Sequence, residues 1–213
     1  EHPLKKYEFE IENFMTCPLT ELDALIAKCD AERKPQKANV AGLITSYETK
    51  TSRSGKPYAR VNVEDFSGTY ELSLYGKDYE TYMSYLNDHT AIYIAGEIKE
   101  SYYVKPEEKD KAATVPYKVR LENMSLLGNI AERMVAGFVI EISTTMLNPD
   151  FRESLKNAIK GSKGNIPLSI FLVDPKTKYQ IEFLSKKFQV AVTSDFLADV
   201  KNLGVRYKIL PKR

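Results

Sequence analysis

Residues 38–79 read ANVAGLITSYETKTSRSGKPYARVNVEDFSGTYELSLYGKDY, and the alternation inside this stretch decides the fold. From Pro57 to Asp65, Ala59, Val61 and Val63 fall on one face while Tyr58, Arg60, Asn62 and Glu64 fall on the other. That is the period-two signature of a strand packed on one side only. Ala38 to Tyr47 is rich in β-formers, and Gly42 at its centre predicts a bulge or sharp bend, as a small barrel needs to turn a strand. Tyr70 to Tyr75 places Tyr70, Leu72 and Leu74 inward and Glu71, Ser73 and Tyr75 outward. The linkers SRSG and DFSG are short, and Gly68 is placed for a tight turn.

Two further apolar runs, Thr90 to Glu97 and Tyr117 to Leu127, have the length of strands. Between them and the first three, Lys77 to Leu86 carries Tyr79, Tyr82, Met83 and Leu86 at helical spacing. The order βββαββ over residues 38–127 is that of an OB-fold, a five-stranded Greek-key barrel that holds oligonucleotides on its second and third strands and flanking loops.

Residues 1–37 read as a connector with one short helix. Leu19, Leu22, Leu25, Ile26 and Cys29 form a stripe, Glu21 and Asp23 lie near its start, Lys28, Arg33 and Lys34 near its end, and Pro35 follows. This helix is expected to pack on the barrel. The opening EHPLKKYEFE, without an initiating Met, predicts a piece excised from a longer protein.

Residues 128–213 change character and read as a small α+β domain. An apolar run, MVAGFVIEIS over 134–143, gives a strand. Asn148 caps a helix that starts at Pro149 and buries Phe151, Leu155, Ala158 and Ile159. Ile166 to Val173, Tyr179 to Leu184 and Phe188 to Val192 follow as strands. Ser194 caps a last helix burying Phe196, Leu197, Val200 and Leu203, Gly204 stops it, and Val205 to Leu210 is the final strand. The predicted order is βαβββαβ. Its acids, Asp150, Glu153, Asp174, Asp195 and Asp199, sit where capping explains them. Docking a partner protein and merely packing on a neighbour are the two roles left for it.

Composition frames these assignments. At 213 residues, 43% hydrophobic and 28% charged, the chain has room for two domains. No apolar run approaches the roughly 20 residues of a membrane span, and the start lacks the apolar core of a signal peptide. Cys17 and Cys29 have no CxxC spacing, and His2 and His89 are far apart. Reduced thiols in a cytoplasmic protein, and no zinc site, are the expectation.

The candidate site is one of binding. From Lys37 to Arg60 the chain carries Lys37, Lys50, Arg53, Lys56 and Arg60 against one acid, Glu48, in a chain of net charge +2. A phosphate backbone needs such a local patch. Lys50, Arg53, Lys56 and Arg60 are the candidate phosphate contacts, and Tyr58 and Tyr75 on the same face are candidate base platforms. The loop 101–116 adds Tyr102 and Lys105, offset by Glu107, Glu108 and Asp110. Against this stands a plainer reading: with fourteen tyrosines, any one is a core or rim residue, and KTSRSGK is a solvated hairpin tip.

The segment EHPLKKYEFEIENF resembles the one that closes the fingers region in alpha subunits of bacterial DNA polymerase III. The stretch from Val40 to Tyr82 is similar throughout to the OB domain that follows it there. Its landmarks are Ala41-Gly42-Leu43-Ile44, Thr51, Gly55-Lys56, Glu64-Asp65, Ser67-Gly68 and Tyr79. GNIPLSIFLVD and FLADVKNLGV resemble that family's C-terminal domain. The resemblance implies a non-catalytic segment of a DNA-directed DNA polymerase, a nucleotidyltransferase whose metal-binding carboxylates, with Mg2+, lie upstream. It implies no cofactor here, single-stranded template held by the OB domain, and the tau subunit of the clamp loader docked by the C-terminal domain within the replisome. A tRNA anticodon-binding module and a stand-alone OB-fold adaptor are the alternatives, separable by the salt dependence and sequence preference of binding.

Overall fold

The computed structural model describes residues 2–101 and 115–212. The chain divides into two units, one of residues 1–5 and 10–128, the other of residues 6–9 and 129–213. The N-terminal segment forms helices α1 (Glu8–Phe14) and α2 (Leu22–Glu32).

The first unit is built on strands β1 (Gln36–Thr51), β2 (Pro57–Glu64), β3 (Thr69–Tyr75), β4 (Ala91–Glu100) and β5 (Tyr117–Leu126), with helix α3 (Lys77–Tyr82) between β3 and β4. They form one antiparallel sheet in the order β3-β2-β1-β4-β5. β1 is long because it serves two neighbours, pairing with β4 from Gln36 to Leu43 and with β2 from Leu43 to Thr51. Five strands with a first strand shared between two neighbours and a helix before the fourth are the OB-fold arrangement. Gly42 stands next to the change of partner. A Cβ there would lie 2.5 Å from Val63 Cγ1 and 2.7 Å from the Glu64 carbonyl oxygen, so the close approach of β2 requires glycine. The bulge itself falls between Ile44 and Ser46, not at Gly42.

The inward residues behave as their alternation predicts. Ala59, Val61, Val63 and Leu74 are fully buried with Ile44, Ile92 and Ile98. Leu19, Leu22 and Cys29 join this core, with Leu25 and Ile26 packed against it, so α2 caps the barrel. Two loops are built for the purpose. In the β1–β2 turn, Gly55 has φ 78° and its N–H donates to the Ser52 carbonyl at 2.9 Å. In the β2–β3 turn, one Asp65 carboxylate accepts from the backbone N–H groups of Ser67 (2.7 Å), Gly68 (3.0 Å) and Leu19 (2.8 Å). A single aspartate thereby closes a turn and pins the connector to it. Met83, placed on the apolar stripe by its spacing, is instead exposed, because the helix tightens to a 3-10 turn at Met83–Tyr85.

The second unit holds a four-stranded sheet in the order β8-β7-β6-β9, made of β6 (Val135–Ser143), β7 (Lys163–Val173), β8 (Gln180–Val190) and β9 (Arg206–Pro211). A short helix, α4 (Ile130–Met134), leads into it; α5 (Pro149–Gly161) links the parallel pair β6–β7, and α6 (Ser194–Asn202) precedes β9. Asn148 Oδ1 accepts from the Phe151 N–H at 2.8 Å with Pro149 in the first turn, as the sequence predicts. Phe138 lies fully buried between Phe196 and Tyr207, at ring distances of 5.1 and 5.4 Å.

Two expectations change here. The two strands predicted at Tyr179–Leu184 and Phe188–Val192 are one strand, β8, so the order is βαββαβ after α4. Residues 185–188 form an irregularity inside it, between the pairs Ser169↔Leu184 and Pro167↔Gln189, and the break in apolar spacing there reads as a loop. Thr193, not Ser194, caps α6, accepting from the Phe196 N–H at 3.3 Å; the Ser194 hydroxyl accepts instead from the Phe9 N–H.

Candidate nucleic-acid interface

The outward positions of β1, β2 and β3 line up across the sheet in rows. Lys50 pairs with Tyr58 and Tyr58 with Tyr75; Glu48 pairs with Arg60 and Arg60 with Ser73; Ser46 pairs with Asn62 and Asn62 with Glu71. Strand alternation therefore collects Lys50, Tyr58, Arg60 and Tyr75 on one face. Arg53 and Lys56 stand exposed in the adjoining turn. The six candidates that fall on described residues form one contiguous end of the barrel face. Tyr102 and Lys105 lie outside the described residues.

The two tyrosines meet. Their rings are stacked, with centroids 4.9 Å apart and an interplanar angle of 18°. Tyr58 is half-buried while Tyr75 remains 56% exposed, so the pair offers one outer ring surface, held rigidly by its inner neighbour. A flat, pre-ordered ring of this kind is what an unpaired base stacks on.

The cations are less free than their sequence count implies. Lys50 Nζ lies 2.8 Å from Glu48 Oε2, and Arg60 Nε lies 3.8 Å from Glu71 Oε1. Glu71 enters from the third strand, outside the segment 37–60, and only the register reveals it. The face is thus graded: cationic at the β1–β2 turn, with Lys50, Arg53 and Lys56, and close to neutral from Arg60 onward. Exposed pairs of this kind are weak and screened by salt, so a phosphate can displace either carboxylate.

Two exposed aromatics of the first unit escaped the sequence reading. Phe66, at the tip of the β2–β3 turn, is 52% exposed and touches the His2 ring at 4.8 Å. Tyr47 is exposed although its partner Val61 is fully buried, because β1 there runs past the edge of the core. Nothing in the alternation distinguishes either from a core aromatic.

Burial pushes the Cys29 thiol up, with Glu32 adding to the effect, and burial likewise raises Cys17; both are poor nucleophiles. Among the described residues no three His, Cys, Asp or Glu side chains come together in a way that could hold a metal ion. No helix among them is long and apolar enough to cross a membrane.

Residues 138–210 match the family model for the DNA polymerase III alpha subunit, C-terminal domain. Over 95% of its length the chain is 21% identical to DNA polymerase III subunit alpha of Haemophilus influenzae and 20% identical to that of Vibrio cholerae, covering 16% of each. The Deinococcus radiodurans protein is 24% identical over 85% of the chain, covering 13% of that protein. The chain therefore spans about a sixth of the curated relatives it matches. Among solved structures, the mitochondrial single-stranded DNA binding protein Rim1 of S. cerevisiae is 14% identical, covering 43% of this chain and 93% of its own, with a TM-score of 0.31. The small single-stranded DNA-binding protein of Streptomyces coelicolor is 10% identical, covering 43% of this chain and 91% of its own, at 0.25.

Proposed function

We propose that the chain is the C-terminal region of a DNA polymerase III alpha subunit, a non-catalytic part of that enzyme which holds single-stranded template. The observation that carries this reading is the graded face of β1–β3, where a stacked Tyr58–Tyr75 pair adjoins the Lys50, Arg53 and Lys56 cluster. Backbone phosphates of the strand run past the turn cations, and a base lies against the outer ring of Tyr75. Stacking is indifferent to base identity, so binding carries little sequence preference. The carboxylates and metal ions of nucleotidyl transfer belong to the larger part of the enzyme outside this chain, and the second unit docks the clamp-loader tau subunit in the cytoplasmic replisome.

Replacing Lys50, Arg53 and Lys56 together with Ala is expected to weaken oligo-dT binding and flatten its salt dependence. An unchanged slope moves the phosphate contacts elsewhere. The tau reading is tested by co-elution of the full chain with the cognate subunit, and absence of a complex removes it. A protein-adaptor role for the barrel is the second reading, favoured by the Lys50–Glu48 and Arg60–Glu71 pairs, and it predicts no oligonucleotide binding even at low salt.

A further inference from the structure

Exposed strand edges are usually kept short, charged or covered, and in the edge strand β8 the run Gln180–Leu184 carries a single charge, Glu182, and no bulge. Between Gln180 and Leu184 it pairs regularly with β7 on one side, and among the described residues its other side carries no strand. Three of its five side chains there are apolar and open to solvent, Ile181 54% exposed, Phe183 52% and Leu184 64%, and Tyr179 just before it is 76% exposed. Ile181 and Phe183 stand opposite Leu172 and Ile170, and the apolar strip continues from Ile170 into a cleft lined by Leu147, Phe151, Leu155 and Phe188. Side-chain hydrogen bonds hold the strand at both ends. At its start Asp174 accepts from the Lys176 N–H at 3.0 Å and the Thr177 hydroxyl at 2.7 Å, and Lys178 takes φ 60°. At its end the irregularity at 185–188 is fixed by the Phe188 N–H donating to Ser185 Oγ at 2.9 Å.

We infer that the free edge of β8, from Gln180 to Leu184, takes up an extended apolar segment of a partner protein with acidic ends, which joins the sheet as an additional strand. The inference rests on the reading of the second unit as a docking module and names its surface. Backbone N–H and C=O groups supply the pairing, and Ile181 and Phe183 supply apolar contact on one face. The charge requirement comes from what brackets the edge. Lys176 and Lys178 stand at one end and Lys186 and Lys187 at the other, with Glu182 the one acid between them. A second copy of this chain is the wrong occupant: antiparallel pairing of β8 with β8 brings the tip lysines of one copy alongside the bulge lysines of the other. An acidic partner meets the same lysines favourably.

The test uses the full chain and a labelled peptide of alternating valine and threonine with glutamates at both ends, beside the same peptide with lysines at its ends. The chain should bind the glutamate peptide at least about tenfold more tightly at low salt, a preference expected from several weak, screenable ion pairs. K176E/K178E/K186E/K187E should invert the preference. I181K/F183K should abolish peptide binding with the unfolding midpoint and oligo-dT affinity unchanged, which separates lost docking from lost folding. Equal affinity for the two peptides, or full binding by I181K/F183K, overturns the proposal. Failure of the docking reading looks different: a chain that does not co-elute with tau loses that role whatever the peptides do. Co-elution that survives I181K/F183K overturns the edge while leaving docking in place.

Discussion

The two units expose strand surface in opposite ways. The first presents a face: polar, aromatic, with rows Lys50–Tyr58–Tyr75 and Glu48–Arg60–Ser73, in which the two tyrosine rings stack and Lys50 and Arg60 are paired with Glu48 and Glu71. The second presents an edge: an apolar run in β8 with lysines only at its ends. A face reads a ligand through side chains, so it suits stacking and phosphate contacts that tolerate any sequence. An edge reads a ligand through the backbone, so it suits an extended peptide. The difference teaches that the same strand chemistry suits nucleic acid or protein, on the proposed reading, according to which surface is left uncovered.

The most severe way to break this comparison is to unfold one unit. Phe138→Ala empties the fully buried site between Phe196 and Tyr207, and should cost about 3–5 kcal/mol. Hydrogen exchange should show protection lost in β6–β9 and kept in β1–β5; loss in both would mean that the units do not respond separately.

Next in size is a buried carboxyl in the N-terminal helix. Glu10 is 3% exposed, its Oε2 has no hydrogen-bond partner, and burial raises its pKa to about 7. The folded pKa lies above the unfolded one, so ionisation opposes folding. Stability is therefore greatest below about 4.5, falls as pH rises, and levels off above about 7, a loss of about 2–3 kcal/mol. Denaturant midpoints from pH 4 to 8 should show this slope for the natural chain and lose it in Glu10→Gln; a slope common to both assigns it to other groups.

Much of this architecture is legible in the sequence, for identifiable reasons. Alternation over Tyr58–Glu64 and Tyr70–Tyr75 places every inward residue of β2 and β3, and the Asn148-Pro149 pair gives the start of α5, because each rests on local geometry. What stays hidden depends on contacts between segments distant in sequence. The Arg60–Glu71 pair, the pinning of Leu19 by Asp65 and the single strand through 185–188 all require the register. The candidate face is recoverable from period two alone. The neutralisation of Arg60 is not, since Glu71 and Arg60 are brought together by pairing and not by proximity in the chain.

Smaller changes sharpen the face. Tyr75→Ala should weaken oligo-dT binding by about 1–3 kcal/mol, with Tyr75→Phe close to the natural chain. Equal losses in both would point to the hydroxyl and away from stacking. The smallest expected effect has the opposite sign: Glu71→Gln removes the carboxylate beside Arg60 and should tighten binding by about 0.2–1 kcal/mol, read by the same titration. A weaker complex would place Arg60 outside the strand's path.

The central claim, that the β1–β3 face grips single-stranded DNA through a few phosphates and a tyrosine platform, is met most directly by fluorescence anisotropy of the full chain with oligo-dT across a salt series. With Lys50, Arg53, Lys56 and Arg60 engaged, log K should fall against log salt with a slope of about −2 to −3, at about −0.7 per phosphate neutralised on a single strand. Absence of binding at low salt, or an affinity that salt leaves unchanged, would contradict it.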